Sequence, residues 1–402
     1  MLKNIKIDKR DFIPVLILFQ NSLFLYLAIF FHSIGPLSWL RYTLFPILMV
    51  IATIISFDGI KKIHLYDYFY IGIVASIFIV HYFAFKENQE IIEENFWSLT
   101  WCLLFTYIYG RSVYGLIQRD EKYHFRILYY ISVVTLLICI VYSFRTMSIG
   151  QNDKYIADKS DMATSYAVLP CAMILCWRSI REPNVISISL QVISIIYVTL
   201  LGTRGAFLCL LVFNLLGYLI VMIGTKRKLS IVFLSISLFL LYYLPQNFLD
   251  ILYDIASKLG LSTRVFDKQI EGELMVSESR DVLKDEILIS IKESPYWGNG
   301  IFSDRRIIDT YVHNIFYEFF LDFGIIIGTL LLGVIFYIII KAFRATNNID
   351  VKMFIVILFI ASIVKNYMSG SYLNEPMFYI LIALCISILI EKQEENKANE
   401  GI

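Results

Sequence analysis

The sequence predicts an all-α, polytopic integral membrane protein, and three features carry that expectation. Apolar runs of about 17–25 residues recur along the whole chain, each long enough to cross the hydrocarbon core as a helix. Charged residues make up 17% of the 402 positions against 58% hydrophobic, and the mean hydropathy is +0.68. That is too little charge to coat a soluble body of this size. The runs also lack the short alternating pattern of a transmembrane β-barrel. A net charge of +1 argues against nucleic acid as a partner.

Twelve spans are placed near 12–31, 37–56, 67–83, 96–110, 127–144, 163–178, 185–201, 205–224, 230–245, 316–340, 353–369 and 374–390. Lys3, Lys6, Lys9 and Arg10 precede the first span without a small-residue cleavage pattern, so that span is expected to be retained. Basic residues cluster at Lys61-Lys62, from Arg111 to Arg126, at Arg178 and Arg181, at Lys226-Arg227-Lys228, at Lys341 and Arg344, and at Lys392. With a cytoplasmic N-terminus, all of these clusters fall inside. Both termini are then cytoplasmic, in a single membrane domain, 1–402, whose charged tail, 391–402, reads as disordered. The outer loop 84–95 carries Glu87, Glu90, Glu93 and Glu94 against Lys86, and a second outer loop, 145–162, is polar and mixed in charge. Cys102, Cys139, Cys171, Cys176, Cys209 and Cys385 all lie in spans and read as small apolar residues. No Cys/His spacing suggests a zinc site, and no metal or cofactor is expected.

One long polar segment interrupts the apolar pattern. This outer loop, 246–313, separates spans nine and ten and is expected to fold over the membrane domain. Phe248, Leu252, Ile255 and Leu259 recur at helical spacing, with Gly260 as a stop. A second helix is predicted from about Arg280 to Glu293, with Leu283, Ile287 and Ile291 on one face, Ser277 or Ser279 as its cap and Pro295 beyond its end. Arg280 then sits in a first helical turn, the end that favours anions. The alternative is a solvated loop charge, which the residues alone favour.

Other candidate residues flank the loop. Gly202-Thr203-Arg204 joins spans seven and eight, with Thr203 as a reasonable N-cap and Arg204 at an outward-facing helix start. That pair makes either an anion site or an arginine reaching to the headgroups. His313 stands at the outer entry to span ten, where an imidazole can accept a proton from a hydroxyl. Asn314, Glu318 and Asp322 follow at four-residue spacing as a polar stripe. Lys365 in span eleven is the nearest candidate counter-ion for the two carboxylates, and a structural clamp explains the three as well as catalysis does. Gly324 and Gly328 read as small residues that allow close helix packing.

These residues carry a family likeness. Leu201-Gly202-Thr203-Arg204-Gly205-Ala206 resembles the Ser/Thr-Arg-Gly-Ala signature of the O-antigen ligase and polymerase family (Wzy/WaaL type). Arg280 followed by Ser294-Pro295-Tyr296-Trp297-Gly298-Asn299-Gly300 looks like its "Arg … Pro-x-x-Gly-x-Gly" element. His313-Asn314 with Gly324 and Gly328 resembles its "His-Asn … Gly … Gly" element. The likeness covers roughly residues 190–330; the earlier spans match only in being hydrophobic.

The resemblance implies a metal-independent, inverting, GT-C-like glycosyltransferase at the outer face of the cytoplasmic (inner) membrane. Its donor would be a glycan on undecaprenyl diphosphate, its acceptor a hydroxyl of another lipid-linked repeat unit, with membrane lipid and a chain-length regulator as further partners. Arg204 and Arg280 would bind the diphosphate, and His313 would act on the acceptor hydroxyl. Thr203, Asn314 and Glu318 would line the substrate site. The expectation is therefore an O-antigen or capsule polysaccharide polymerase. Two rivals stand beside it. One is a ligase that moves finished glycan to lipid A-core or protein; the other is a transporter or flippase for lipid-linked sugar, which the intramembrane Glu318, Asp322 and Lys365 would suit.

Overall fold

The structure, a computed structural model, describes residues 63–119, 121–150, 154–201, 203–225 and 278–400, with isolated positions at 47, 51, 253, 254, 257 and 258. In chain order the helices are α1 (Leu65–Ala84), α2 (Gln89–Thr100), α3 (Thr106–Arg119), α4 (Glu121–Gly150), α5 (Lys154–Arg181), α6 (Val185–Leu200) and α7 (Arg204–Thr225). After them come α8 (Glu278–Glu293), α9 (Ser303–Ile308), α10 (Ile315–Ala345), α11 (Ile349–Phe359), α12 (Lys365–Met368) and α13 (Pro376–Glu400). π-helical turns at Trp101–Phe105 and Ile360–Val364 join α2 to α3 and α11 to α12. No strand occurs among the described residues. Among the described residues, five helices are long and apolar enough to cross a membrane, in the segments Leu65–Ala84, His124–Val141, Gly205–Met222, Ile315–Ala345 and Pro376–Asn399. The fold is that of an all-helical membrane protein.

Predicted spans one, two and nine, and the amphipathic helix from Phe248 to Leu259, fall outside the described stretches. The other spans coincide with helices, several of which run past their predicted ends. α4 continues to Gly150 and α5 begins at Lys154, so most of the expected loop 145–162 is helical. Likewise the tail is not disordered: α13 continues to Glu400. Its polar end is anchored, with Tyr114 donating to Glu391, Tyr66 to Gln393 (3.3 Å) and His64 near Glu394 (3.7 Å). All six cysteines are buried, as small apolar core residues would be.

The chain divides into two compact units. The first comprises 1–52 and 120–276, the second 53–119 and 277–402. In the first, α5 packs against α4, α6 and α7, and its stretch from Val168 to Trp177 is sealed from solvent. Polar side chains tie these helices where their backbones pass: Gln191 donates to Asn214 (2.9 Å), and Tyr197 donates to the Cys139 carbonyl (2.7 Å).

In the second unit α13 is the central helix, packed on α3, α10 and α11. Its approach to α3 depends on Gly110, where a Cβ would meet Ala383 Cβ at 2.7 Å and the Ile380 carbonyl at 2.8 Å. Close to the same contact, α1 is tied down by a buried ion pair. Asp67 accepts from Tyr107 (2.8 Å) and pairs with Arg111 (2.8 Å), whose guanidinium also donates to Ser387 (2.7 Å). Removing one partner of such a pair leaves an uncompensated buried charge, which costs about 3–5 kcal/mol. Arg111→Ala is expected to lower the unfolding temperature of detergent-purified protein accordingly, and Arg111→Ala with Asp67→Asn to recover part of the loss.

Candidate functional site

The Ser294–Gly300 turn and helix α10 are built into each other. α10 is broken at Gly324, whose φ of 77° and ψ of 167° are not helical. A helix that breaks leaves carbonyls behind the break and amides after it without partners. Here the turn supplies both. Asn299 N–H donates to the Leu321 carbonyl (2.6 Å) and Gly300 N–H to that of Asp322 (3.2 Å), while Ile325 N–H donates to the Pro295 carbonyl (2.7 Å).

The approach leaves no room for side chains. A Cβ on Gly324 would lie 2.4 Å from the Tyr296 carbonyl oxygen, and one on Gly298 would lie 2.5 Å from Gly324 N. Both glycines, and Gly300, have positive φ. Gly328 serves the fold differently: a Cβ there would meet the Phe319 carbonyl at 2.8 Å. In a straight helix those residues would stand about 13 Å apart, so the two pieces of α10 fold against each other. The close packing read from Gly324 and Gly328 thus exists, but not between two helices: Gly328 packs within the broken helix, and Gly324, the break itself, packs on the turn.

Helix α8 starts at Glu278, two residues before the expected position, and Arg280 lies in its first turn. Ser279 is inside the helix and so is not its cap; Ser277 is outside the described residues. The predicted face is the buried one. Ile287 and Ile291 form a core with Ile308 and Leu321, and Leu283, Val312 and Tyr317 pack around it. Leu283 in the second turn of α8 and Val312, next to His313, therefore border the same core.

His313 adopts a left-handed backbone, φ 57°, as do Phe302 and Asp309. Three non-glycine residues of this kind in so short a run mark local strain, which clusters at functional sites. The His313 imidazole lies half-buried against the Tyr311 ring (4.1 Å between centroids), with Nδ1 3.5 Å from Ser369 Oγ. Asn314 caps α10, accepting from the amides of Phe316 (3.0 Å) and Tyr317 (3.4 Å).

Beneath His313 lies a cluster of three carboxylates. Asp304 and Asp322 are 0% exposed and Glu318 is 1%. The cation they meet is Arg305, which binds both Asp304 oxygens and approaches Glu318 at 3.3 Å. Lys365, the expected counter-ion, pairs instead with Glu375. Ser371 Oγ and Tyr372 N–H (3.1 Å) donate to Glu318, and Tyr372 Oη donates to Asp322 (2.7 Å). The Glu318 carboxylate is thus committed to the protein, though through Arg305, Ser371 and Tyr372 and not through the expected clamp with Lys365. Burial works to lower the Arg305 pKa, but Asp304 and Glu318 more than reverse this, and the guanidinium is held above its ordinary value. Burial, with Asp322 and Glu318 adding to it, pushes the Tyr372 phenol well above its ordinary value, so it acts as a donor.

The segment 84–95, expected as an outer loop but largely helical, with a 3-10 turn at Lys86–Asn88 and the start of α2, meets the same region. Asn88 donates to the carbonyls of Asn299 (2.8 Å) and Ile301 (3.2 Å) and accepts from Arg306 (2.9 Å), which also pairs with Glu87 (2.9 Å). His81 Nδ1 accepts from Ile301 N–H (2.9 Å). Two segments that charge bias assigns to one side of the membrane thus meet at one end of this unit.

Arg204 belongs to the first unit, where it opens α7. Thr203 stands at the N-cap position, its carbonyl accepting from Phe207 N–H (3.2 Å) and its buried hydroxyl bonded to Ser165 on α5. Arg280 and His313 belong to the second unit, so their convergence with Arg204 enters only with the proposal below.

Sequence reasoning missed Asp304, Arg305, Ser369, Ser371 and Tyr372. Asp304-Arg305-Arg306 looks like any solvated loop charge, and nothing local announces that two of the three are enclosed. What fold and site define is a class, the all-helical membrane protein with a buried polar cluster under a strained loop. Beyond that class, comparison with known families, curated proteins and solved structures gave no match.

Two substitutions test the site's construction. Gly324→Ala combines a disfavoured φ with a backbone clash and is expected to cost about 2 kcal/mol or more, seen as a lower unfolding temperature. Arg305→Ala leaves Asp304 and Glu318 without their cation, at about 3–5 kcal/mol. Adding Glu318→Gln should return part of that stability; no return would mean that Arg305 and Glu318 are not energetically coupled.

Proposed function

We propose that this chain is an integral-membrane glycosyltransferase of the polysaccharide polymerase type. It would have twelve spans, both termini in the cytoplasm, and its site on the outer face of the cytoplasmic membrane. The substrate would be a glycan on undecaprenyl diphosphate, transferred to a hydroxyl of another lipid-linked repeat unit. The likeness to the O-antigen ligase and polymerase family supports this through three motif elements. The observation that carries it is that two of them are one construction: the Pro295–Gly300 turn completes the helix that His313-Asn314 begins.

In this reading the acceptor oxygen attacks the anomeric carbon from the face opposite the diphosphate, and His313 takes its proton. The glycosidic C–O bond breaks, and its electron pair leaves on the diphosphate. Arg204 and Arg280, each in a first helical turn, neutralise that charge with bidentate contacts and the helix amides. No step requires a metal. Asn314 acts by capping α10 and Thr203 by tying the Arg204 turn to α5. Glu318 supports the loop from beneath and does not touch substrate. The transporter reading loses ground because the carboxylates and lysine that suggested it are bonded within the protein.

Arg204→Ala or Arg280→Ala is expected to lower chain extension by about 10²–10³-fold, and His313→Ala by about 10²–10⁴-fold, with the protein still folded and inserted. The measurement is glycan chain length in a deletion strain carrying each variant, together with single-turnover transfer from lipid-linked donor. Wild-type chain lengths in all three would overturn the assignment. In the deletion strain itself, single repeat units on the final acceptor indicate a polymerase, and unattached long chains indicate the ligase.

A further inference from the structure

Helix α1 is pinned at its two ends and stands clear of α10 and α13 between them. At one end His81 accepts from Ile301 N–H (2.9 Å); at the other Tyr66 donates to Gln393 (3.3 Å) and Asp67 pairs with Arg111 (2.8 Å). The space left is a cavity of about 700 Å³. Its walls are apolar, formed by residues such as Ile73 and Ile77 of α1, Val334 and Ile338 of α10, and Ile382 and Ile386 of α13. The cavity is open at its side, where Ile73, Val334 and Tyr337 are exposed, and walls of this kind offer water no partners.

The two ends of the cavity differ. Phe319, Phe378 and Tyr372 close the end under the carboxylate cluster. At the other end stand Lys341, Lys392, Gln393 and Asn396. Lys341 is exposed and lies over the Tyr337 ring (5.4 Å), and Lys392, also exposed, shares its charge with Glu395 (2.9 Å). The lining of α10 extends from Phe319 to Ala345; its half nearest the lysines, Leu331 to Lys341, rises about 15 Å, half of a hydrocarbon core of about 30 Å. That is the reach of a lipid chain from one leaflet.

We propose that this cavity binds one anionic phospholipid from the leaflet on the Lys341 side, its acyl chain along α1, α10 and α13 and its phosphate at Lys341 and Lys392. The lipid completes the α1 wall of this unit and is separate from any lipid-linked glycan handled near His313. The apolar walls select a chain, and the two ammonium groups that line the mouth select a negative headgroup.

The full chain, purified in detergent, tests this with dioleoyl phosphatidylglycerol against dioleoyl phosphatidylcholine in mixed micelles. Phosphatidylglycerol is expected to raise the unfolding temperature several degrees more than phosphatidylcholine, and native mass spectrometry to retain one phospholipid. Lys341→Glu with Lys392→Glu should abolish the preference while leaving the unfolding temperature in phosphatidylcholine unchanged. Ile338→Trp, which fills the wall, should reduce retention several-fold. Should that variant fail to fold, the exposed lysine pair still decides. Equal stabilisation by both lipids, a preference that survives the double lysine change, or retention of a polyprenyl phosphate in place of phospholipid would overturn the proposal.

Discussion

The loop region depends on a reciprocal exchange of backbone hydrogen bonds between a turn and a broken helix. Gly324 stops the ladder of α10, and the Pro295–Gly300 turn takes up the carbonyls and amide thereby released. Buried peptide groups without partners cost too much to persist, so neither piece adopts its conformation without the other. The consequence reaches outward. The short piece of α10 that this break creates carries Glu318 and Asp322 under the loop, starts from the Asn314 cap, and holds His313 at its entrance.

A second constraint follows from burying those carboxylates. Three acids beside one guanidinium form an expensive arrangement, made tolerable by donors from several elements: Ser371 and Tyr372 beyond α12, Arg305 from α9, and the Val312 amide. Such a cluster contributes little net stability, but it joins elements far apart in sequence. In this protein it fixes the loop above it, so that His313 and its neighbours Tyr311 and Ser369 sit on a rigid floor.

Much of this architecture is legible in the amino-acid pattern. The periodicity of Leu283, Ile287 and Ile291 names the buried face of α8, and Pro295 marks its end. The apolar runs locate the helices because crossing length and hydrophobicity are properties of a segment alone. Partners are less legible. Depth in the membrane matches Lys365 with Glu318, yet Lys365 pairs with Glu375, ten residues further along the chain, while Arg305 arrives from the short helix α9. Depth orders residues along one axis, whereas ion pairing depends on all three. The tail likewise looks too charged to order, because the bonds that hold it come from Tyr114 and Tyr66.

By itself, then, the sequence determined the helical class, the helix faces, and the glycines and aromatic turn that carry the family likeness. These follow from local chemistry: hydrophobic run length, 3.6-residue periodicity and the φ freedom of glycine. Tertiary structure alone decided what those glycines are for, which cation meets the buried acids, and that Glu318 faces the protein. Each of these answers depends on which distant backbone arrives within hydrogen-bonding reach, and no local pattern encodes that.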